Sequence, residues 1–293
     1  MQIPGSPYLL LVFTTLFWSI NFVVGRAVHN SIPPIGLAFW RWFGALLILL
    51  PFSYPYLREQ WPLLRRHWKL MAVYGLLGVA SFNTFIYIAL QTTTATNALL
   101  INSNIPVLIV AFSWLFGGTT LSRRQTIGVL ISLAGVITII CRAELQILTS
   151  LTVNQGDLWV LLAALCWAFY TYLLRRRPSE LNPLCFLTVI IVFGLAVLTP
   201  FYLWELSQGL HMVSSLSTYA SLVYVALFAS VLAFILWNQA VGQIGANKAG
   251  LFLHLMPVFG TLLSIIFLGE SFHLFHLFGI SLIFSGIYLT TAS

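Results

Sequence analysis

Asn97, Asn102, Ser103 and Asn104 interrupt an otherwise apolar run just before Pro106. Three amides and a hydroxyl in so short a stretch are expensive in lipid, so they should face protein or water. Asn102 and Pro106 are four apart and are expected to share a helical face. Interhelical hydrogen bonding and lining a binding site both explain such a cluster. His254 stands in another apolar run, three residues before Pro257. It could bind a solute, carry a proton near neutral pH, or hold a neighbouring helix as a neutral ring.

Other polar groups share faces at helical spacing. Asn83, Tyr87 and Gln91 follow one another every fourth residue, and Trp18 with Asn21 and Trp167 with Tyr170 are each three apart. Trp237 and Asn238 add a further pair. Trp and Tyr usually anchor helix ends at a membrane interface. These lie well inside their runs, so they are expected either to wall a cavity or to pack in the core. Arg41, between Trp40 and Trp42, is the one basic residue well within an apolar run. It either snorkels to the interface or anchors a carboxylate or phosphate through its planar fork. Pro106 and Pro257 remove backbone donors inside helices, which points to paired hinges.

The elements that must hold these residues are membrane helices. The chain of 293 residues is 60% hydrophobic and 6% charged, with a mean hydropathy of +0.97. Soluble domains average about 25% charged residues. Ten runs of roughly membrane-crossing length stand at 8–28, 35–57, 69–91, 97–117, 124–141, 156–175, 184–205, 217–241, 247–268 and 273–291, numbered here as spans 1 to 10. With no water at that depth each must be a helix, which makes the chain an all-α integral membrane protein. The first run has no basic segment before it and no cleavage site after it, so it reads as a retained anchor.

Ten bases lie in alternate loops (Arg58, Arg65, Arg66, Lys69, Arg123, Arg124, Arg175, Arg176, Arg177 and Lys248) against Arg26 and Arg142 on the other side. The positive-inside rule then puts both termini in the cytoplasm. The net charge of +7 follows from this topology and calls for membrane lipid rather than nucleic acid.

The chain also repeats. A shift of 151 carries Ala89 onto Ala240, Ala98 onto Ala249, Pro106 onto Pro257 and Gly128 onto Gly279, and a shift of 149 carries Trp18 onto Trp167. His254 then matches Ser103. Five spans per copy is an odd number, so the copies, 1–145 and 152–293, are expected to lie inverted to each other. Gly128 with Gly135, and Gly279 with Gly286, mark close helix approaches in spans 5 and 10. These glycine faces suit scaffold contacts or a homodimer.

Several chemistries are unsupported. No Asp or Glu lies mid-span, which argues against exchange of protons for cationic drugs. Glu205 and Glu270 stand at span ends. Glu270, His273 and His276 are spaced by three but sit in a loop, and read as a polar turn rather than a metal site. Cys141, Cys166 and Cys185 show no metal or disulfide pattern and read as packing residues. A phosphate-binding loop of the nucleotide type is absent, and no cofactor or enzyme chemistry is expected.

Two motifs near the start, Leu16-Phe17-Trp18-Ser19-Ile20-Asn21-Phe22 and Phe39-Trp40-Arg41-Trp42-Phe43, resemble the EamA-type permeases of the drug/metabolite transporter superfamily. So do Ala246-Asn247-Lys248-Ala249-Gly250, Met256-Pro257-Val258, Leu268-Gly269-Glu270, Gly279 and Gly286. In the first half Thr119 stands where the pattern has Glu270. The resemblance implies ten helices around a central cavity, alternating access, and export of small metabolites such as amino acids across a bacterial inner membrane. Import or exchange of another solute, or a receptor without flux, are the alternatives. Spans 1–4 and 6–9 are expected to form the cavity, near Asn102, Ser103, Pro106, His254 and Pro257. Trp18, Asn21, Arg41, Asn83, Tyr87, Trp167, Tyr170 and Trp237 complete the expected small-molecule site.

Overall fold

The computed structural model describes residues 5–28, 30–93, 95–144, 146–147, 154–268 and 271–292, and no strand occurs among them. Nine helical stretches in these residues are long and apolar enough to cross a membrane. They correspond to spans 1–8 and 10, with ends close to those expected from hydropathy. Span 9 is assembled from three abutting pieces, Ala246–Leu251, the 3-10 turn Phe252–His254, and Leu255–Leu268. Gly269 and Glu270, and with them the expected acidic cap of span 9, lie outside the described residues.

The exterior of the bundle is apolar. Leu47, Phe52, Leu130, Val223 and Ile266 are all more than half exposed. In water such a surface would be strongly unfavourable; in hydrocarbon it is the expected solvent face. Trp61, Trp68, Trp114 and Trp204 are exposed at or near span ends, where amphipathic rings suit the headgroup layer. A short helix, Trp61–Arg66, joins spans 2 and 3 and carries two of the loop arginines.

The basic loops gather at one end. Gln60 Nε2 donates to the Glu180 carbonyl at 2.9 Å, and the Asn182 backbone N–H donates to Gln60 Oε1 at 2.9 Å. The loop between spans 2 and 3 thus meets the loop between spans 6 and 7. Carboxylates tie the opposite end. Glu205, at the end of span 7 (Pro183–Ser207), accepts from the free N–H groups of Ile35 at 3.0 Å and Gly36 at 2.6 Å. These are donors in the first turn of span 2 (Pro34–Glu59), which has no intrahelical partner for them. Asp157, in the first turn of span 6 (Gln155–Leu173), accepts from Thr93 Oγ1, from Asn97 Nδ2 at 3.0 Å, and from the Asn154 backbone at 2.9 Å.

Backbone irregularities recur at matched positions of the two halves. Span 3 contains a π-helical segment, Gly75–Ser81, and span 8 one at Val225–Leu232. Span 4 breaks at Ser103–Asn104, between the helices Ala95–Asn102 and Ile105–Gly117, and span 9 changes to a 3-10 turn at Phe252–His254. Neither proline lies mid-helix. Pro106 is the second residue of its helix and Pro257 the third, where a missing N–H removes no intrahelical bond. The break between Asn102 and Pro106 also means that the two do not share a helical face.

Spans 5 (Arg123–Ile140) and 10 (Leu274–Thr291) pack along their full length. A Cβ at Gly135 would lie 2.6 Å from the Gly279 carbonyl oxygen, and one at Gly279 would lie 2.8 Å from the Gly135 carbonyl oxygen. The two glycine faces therefore close on each other within the chain.

Candidate functional site

Arg41 is the centre of the polar interior. It is fully buried, which excludes the snorkelling reading. Its Nη1 donates to Asn83 Oδ1 at 2.8 Å, to the Tyr87 hydroxyl at 2.9 Å and to Asn21 Oδ1 at 3.4 Å. Nε donates to Ser230 Oγ at 2.8 Å, and Nη2 to the Ala229 carbonyl at 3.2 Å. All of these partners are neutral.

The π-helical segment of span 8 makes part of this possible. A π turn disturbs the regular backbone ladder, and here Ser230 Oγ reaches back to the Val225 carbonyl at 2.8 Å. The Ala229 carbonyl accepts side-chain donors from two other helices, Arg41 and Trp18 Nε1, the latter at 3.0 Å. Neither Ser230 nor the Ala229 carbonyl was marked by the spacing argument. Ser230 did carry a signal: it is the sole polar side chain between Tyr224 and Trp237.

Beside this network lies a cavity lined by Trp18, Asn21 and Phe22 of span 1 and Phe82, Asn83 and Ile86 of span 3. Asn102, Ile105, Trp167, Phe234, Leu253 and Met256 from spans 4, 6, 8 and 9 complete the wall. The space open to the centre of a water-sized molecule is about 20 Å³, room for about one or two waters. A metabolite would need the helices to part. Two polar atoms of the wall residues are buried without a partner among the described residues, Asn83 Nδ2 and Asn102 Oδ1. One is a donor and the other an acceptor.

The expected site residues divide into three groups. Trp18, Asn21, Asn83, Asn102 and Trp167 line the cavity. Arg41 and Tyr87 stand behind Asn21 and Asn83 and hold their oxygens, with Tyr87 donating to Asn21 Oδ1 at 3.4 Å. Ser103, Tyr170, Trp237 and His254 are absent from the wall. Gln91 is exposed beyond the end of the span 3 helix, so the polar stripe stops at Tyr87. Apolar wall residues from spans 1, 3, 4, 8 and 9 (Phe22, Phe82, Ile86, Ile105, Phe234, Leu253 and Met256) were not anticipated, because hydropathy gives depth in the membrane but not which way a side chain faces.

The aromatic residues form one packed cluster. The rings of Trp18 and Trp167 meet edge to face at 5.0 Å, Trp18 and Trp237 lie 5.3 Å apart, and Phe234 contacts both Trp18 and Trp167. Tyr170 is fully buried and donates to Asn238 Oδ1 at 2.8 Å, joining spans 6 and 8.

His254 is fully buried between matched elements. Its Nε2 lies 2.9 Å from the Ser103 carbonyl oxygen, its own repeat counterpart, and Nδ1 lies 2.7 Å from Ser132 Oγ. A carbonyl only accepts, so Nε2 carries the hydrogen, and Nδ1 accepts from the serine hydroxyl. A ring with one N–H satisfies both contacts and ties spans 4, 5 and 9. His254→Leu is expected to lower stability by about 1–3 kcal/mol through the orphaned groups. Transport by the folded fraction should keep its wild-type pH profile. Thermal unfolding in detergent and a pH series of flux check the two statements, and a flattened profile would restore a proton-carrying role.

Among the described residues no group of His, Cys, Asp and Glu could hold a metal ion. The His273 backbone donates to His276 Nδ1 at 3.0 Å, which makes this pair the N-terminal cap of span 10.

The comparisons with known proteins agree with a multi-pass membrane transporter rather than an enzyme. The chain is 26% identical to the uncharacterized transporter YyaM of Bacillus subtilis, over 96% of this chain and 92% of that one. It is 29% identical to an uncharacterized transporter of Archaeoglobus fulgidus, over 98% of each. A probable amino-acid metabolite efflux pump of Salmonella typhimurium is 25% identical over 96% of this chain and 93% of its own length. A solved crystal structure superposes with a TM-score of 0.76 over 98% of both chains at 20% identity, which shows the fold alone. The EamA-like transporter family model matches twice, at residues 5–141 and 154–292, and the chain belongs to that family, within the drug/metabolite transporter superfamily.

Proposed function

We propose that the chain is a secondary carrier of the bacterial inner membrane that exports small metabolites, amino acids or related compounds, by alternating access. The carrying observation is the wall of the cavity. Six spans contribute to it, three from each half, and it presents an unpartnered amide donor and an unpartnered amide acceptor to a largely apolar space of aromatic and aliphatic side chains. Small polar solutes with an apolar stem fit such a lining, in which a few placed polar groups fix orientation. The amino-acid efflux named for the Salmonella relative is compatible with it.

The two halves, 1–145 and 152–293, are read as inverted five-span repeats with both termini in the cytoplasm. Their relation is supported by the matched π segments, the break in span 4 and the 3-10 turn at the matched place in span 9, and the hydrogen bond between His254 and its counterpart Ser103. The breaks that precede Pro106 and Pro257 supply the hinges about which one half rocks against the other. The carboxylate contacts of Glu205 and Asp157 then close the outer end, and the Gln60–Asn182 contacts lie at the cytoplasmic end.

Reconstituted protein should give saturable counterflow of amino acids when amino acids, sugars and nucleosides are compared in proteoliposomes. Counterflow of sugars or nucleosides alone would keep the carrier and change its substrate. Absence of flux in vesicles that hold folded protein would favour a receptor.

A further inference from the structure

Arg41 poses an electrostatic problem that the fold leaves unsolved. Its guanidinium is fully buried, and none of its partners among the described residues is a carboxylate. A buried charge without a counter-ion is strongly unfavourable, and within a membrane such a residue marks a functional site by default. Five neutral acceptors solvate the cation but do not neutralise it.

The same contacts set the polarity of the cavity wall. Guanidinium has donors only, so the amide oxygens of Asn21 and Asn83 must be the atoms that face it. With Oδ1 committed to Arg41, each side chain has only its N–H₂ left for a ligand. Asn83 Nδ2 is indeed buried without a partner. The wall nearest Arg41 is therefore a set of N–H donors backed by a positive charge, which is the arrangement that recognises an anion. From another helix of the same wall, Asn102 supplies an unpartnered oxygen acceptor. An ammonium group is its natural partner.

We infer that the substrate is a small carboxylic acid, bound by its carboxylate at the Asn21–Asn83 donors and charge-compensated by Arg41, and that an α-amino group on it would be met by Asn102. This rests on the carrier reading and narrows it to carboxylate-bearing solutes. Arg41 is a positioning residue in the contracted state, since the two asparagines stand between it and the cavity. Opening of the helices would let the carboxylate approach the guanidinium itself.

The test uses the full chain in proteoliposomes, with counterflow of a labelled mixture of neutral amino acids. Unlabelled free acids and their carboxamides, which lack the carboxylate, compete in parallel. Carboxamides are expected to compete at least about 30-fold more weakly, the scale expected when a buried charge loses its partner. Asn83→Asp places a carboxylate beside Arg41. It should reduce kcat/KM for the acids at least about 30-fold while leaving the melting temperature unchanged or raised, because the internal carboxylate now occupies the role of the ligand. A purely structural Arg41 would tolerate that ion pair without losing flux. Equal competition by carboxamides, or wild-type kcat/KM in Asn83→Asp, overturns the inference even if the carrier reading stands. Flux of sugars or nucleosides without flux of acids overturns it in the same way. Absence of flux for every class overturns the carrier reading and this inference together.

Discussion

Gly286→Leu is expected to prevent spans 5 and 10 from docking, and to remove most of the monodisperse protein recovered in detergent. A Cβ at Gly286 would fall within the contact radius of the Gly128 carbonyl oxygen and 2.7 Å from the Ser132 backbone nitrogen. Both obstacles are backbone atoms and cannot rotate away. Overpacking a core that can adjust typically costs about 1–3 kcal/mol, and a clash with fixed backbone exceeds that range. The displacement would also move Ser132, whose hydroxyl holds His254. Gly286→Ala should show the same direction with a smaller loss. Size-exclusion profiles and thermal unfolding of the three proteins test the series, and a normal profile for the leucine variant would mean that the two spans do not approach at these glycines.

Trp167→Ala is expected to affect both stability and transport. Trp167 is almost fully buried, at 1% exposure, and packs on Trp18, Tyr170, Phe82, Phe234 and Trp237 at centroid distances of 5.0 to 5.7 Å. Truncating a buried tryptophan costs about 3–5 kcal/mol. The variant should therefore melt several degrees below wild type. Because the ring also lines the cavity, its removal enlarges the space and should raise KM more than it lowers kcat. Trp167→Phe should recover most of the stability and part of the affinity. An alanine variant with unchanged KM would place the substrate elsewhere.

How much of this was visible in the residues differs from element to element. Span positions follow from length and hydropathy, because an apolar run of that size has one way to satisfy its backbone in lipid. Pro106 and Pro257 marked where span 4 breaks and span 9 changes to a 3-10 turn, but not that each proline lies in the first turn of the helical segment that follows. The π segments were not legible, since Gly75–Ser81 and Val225–Leu232 share no residue type that distinguishes them from ordinary helix. Arg41 remained balanced between interface and interior. Depth along a helix is encoded locally, whereas its partners Ser230 and Ala229 come from span 8, 189 and 188 residues away. His254 was ambiguous for a related reason. A buried imidazole suits a proton path and a helix tie equally until both ring nitrogens are found to be occupied, by Ser103 and Ser132. Trp18, Asn21, Asn83, Asn102 and Trp167 could be chosen by type and spacing. Phe82, Ile86, Phe234, Leu253 and Met256 could not, because they are apolar residues among many.

We propose that the transported solute sits in the cavity bounded by Asn83 and Asn102. The most direct measurement is saturable counterflow by the wild-type chain and by Asn83→Leu/Asn102→Leu, in vesicles matched for folded protein. Leucine matches asparagine in its number of side-chain heavy atoms and removes the two unpartnered polar atoms, but Asn83→Leu also takes an acceptor from buried Arg41, so the double variant should melt below wild type and its flux is compared per folded protein. Its kcat/KM is expected to fall at least about tenfold, the loss expected from about 1.4 kcal/mol or more of binding free energy. Flux with wild-type kcat/KM in the folded double variant would contradict it.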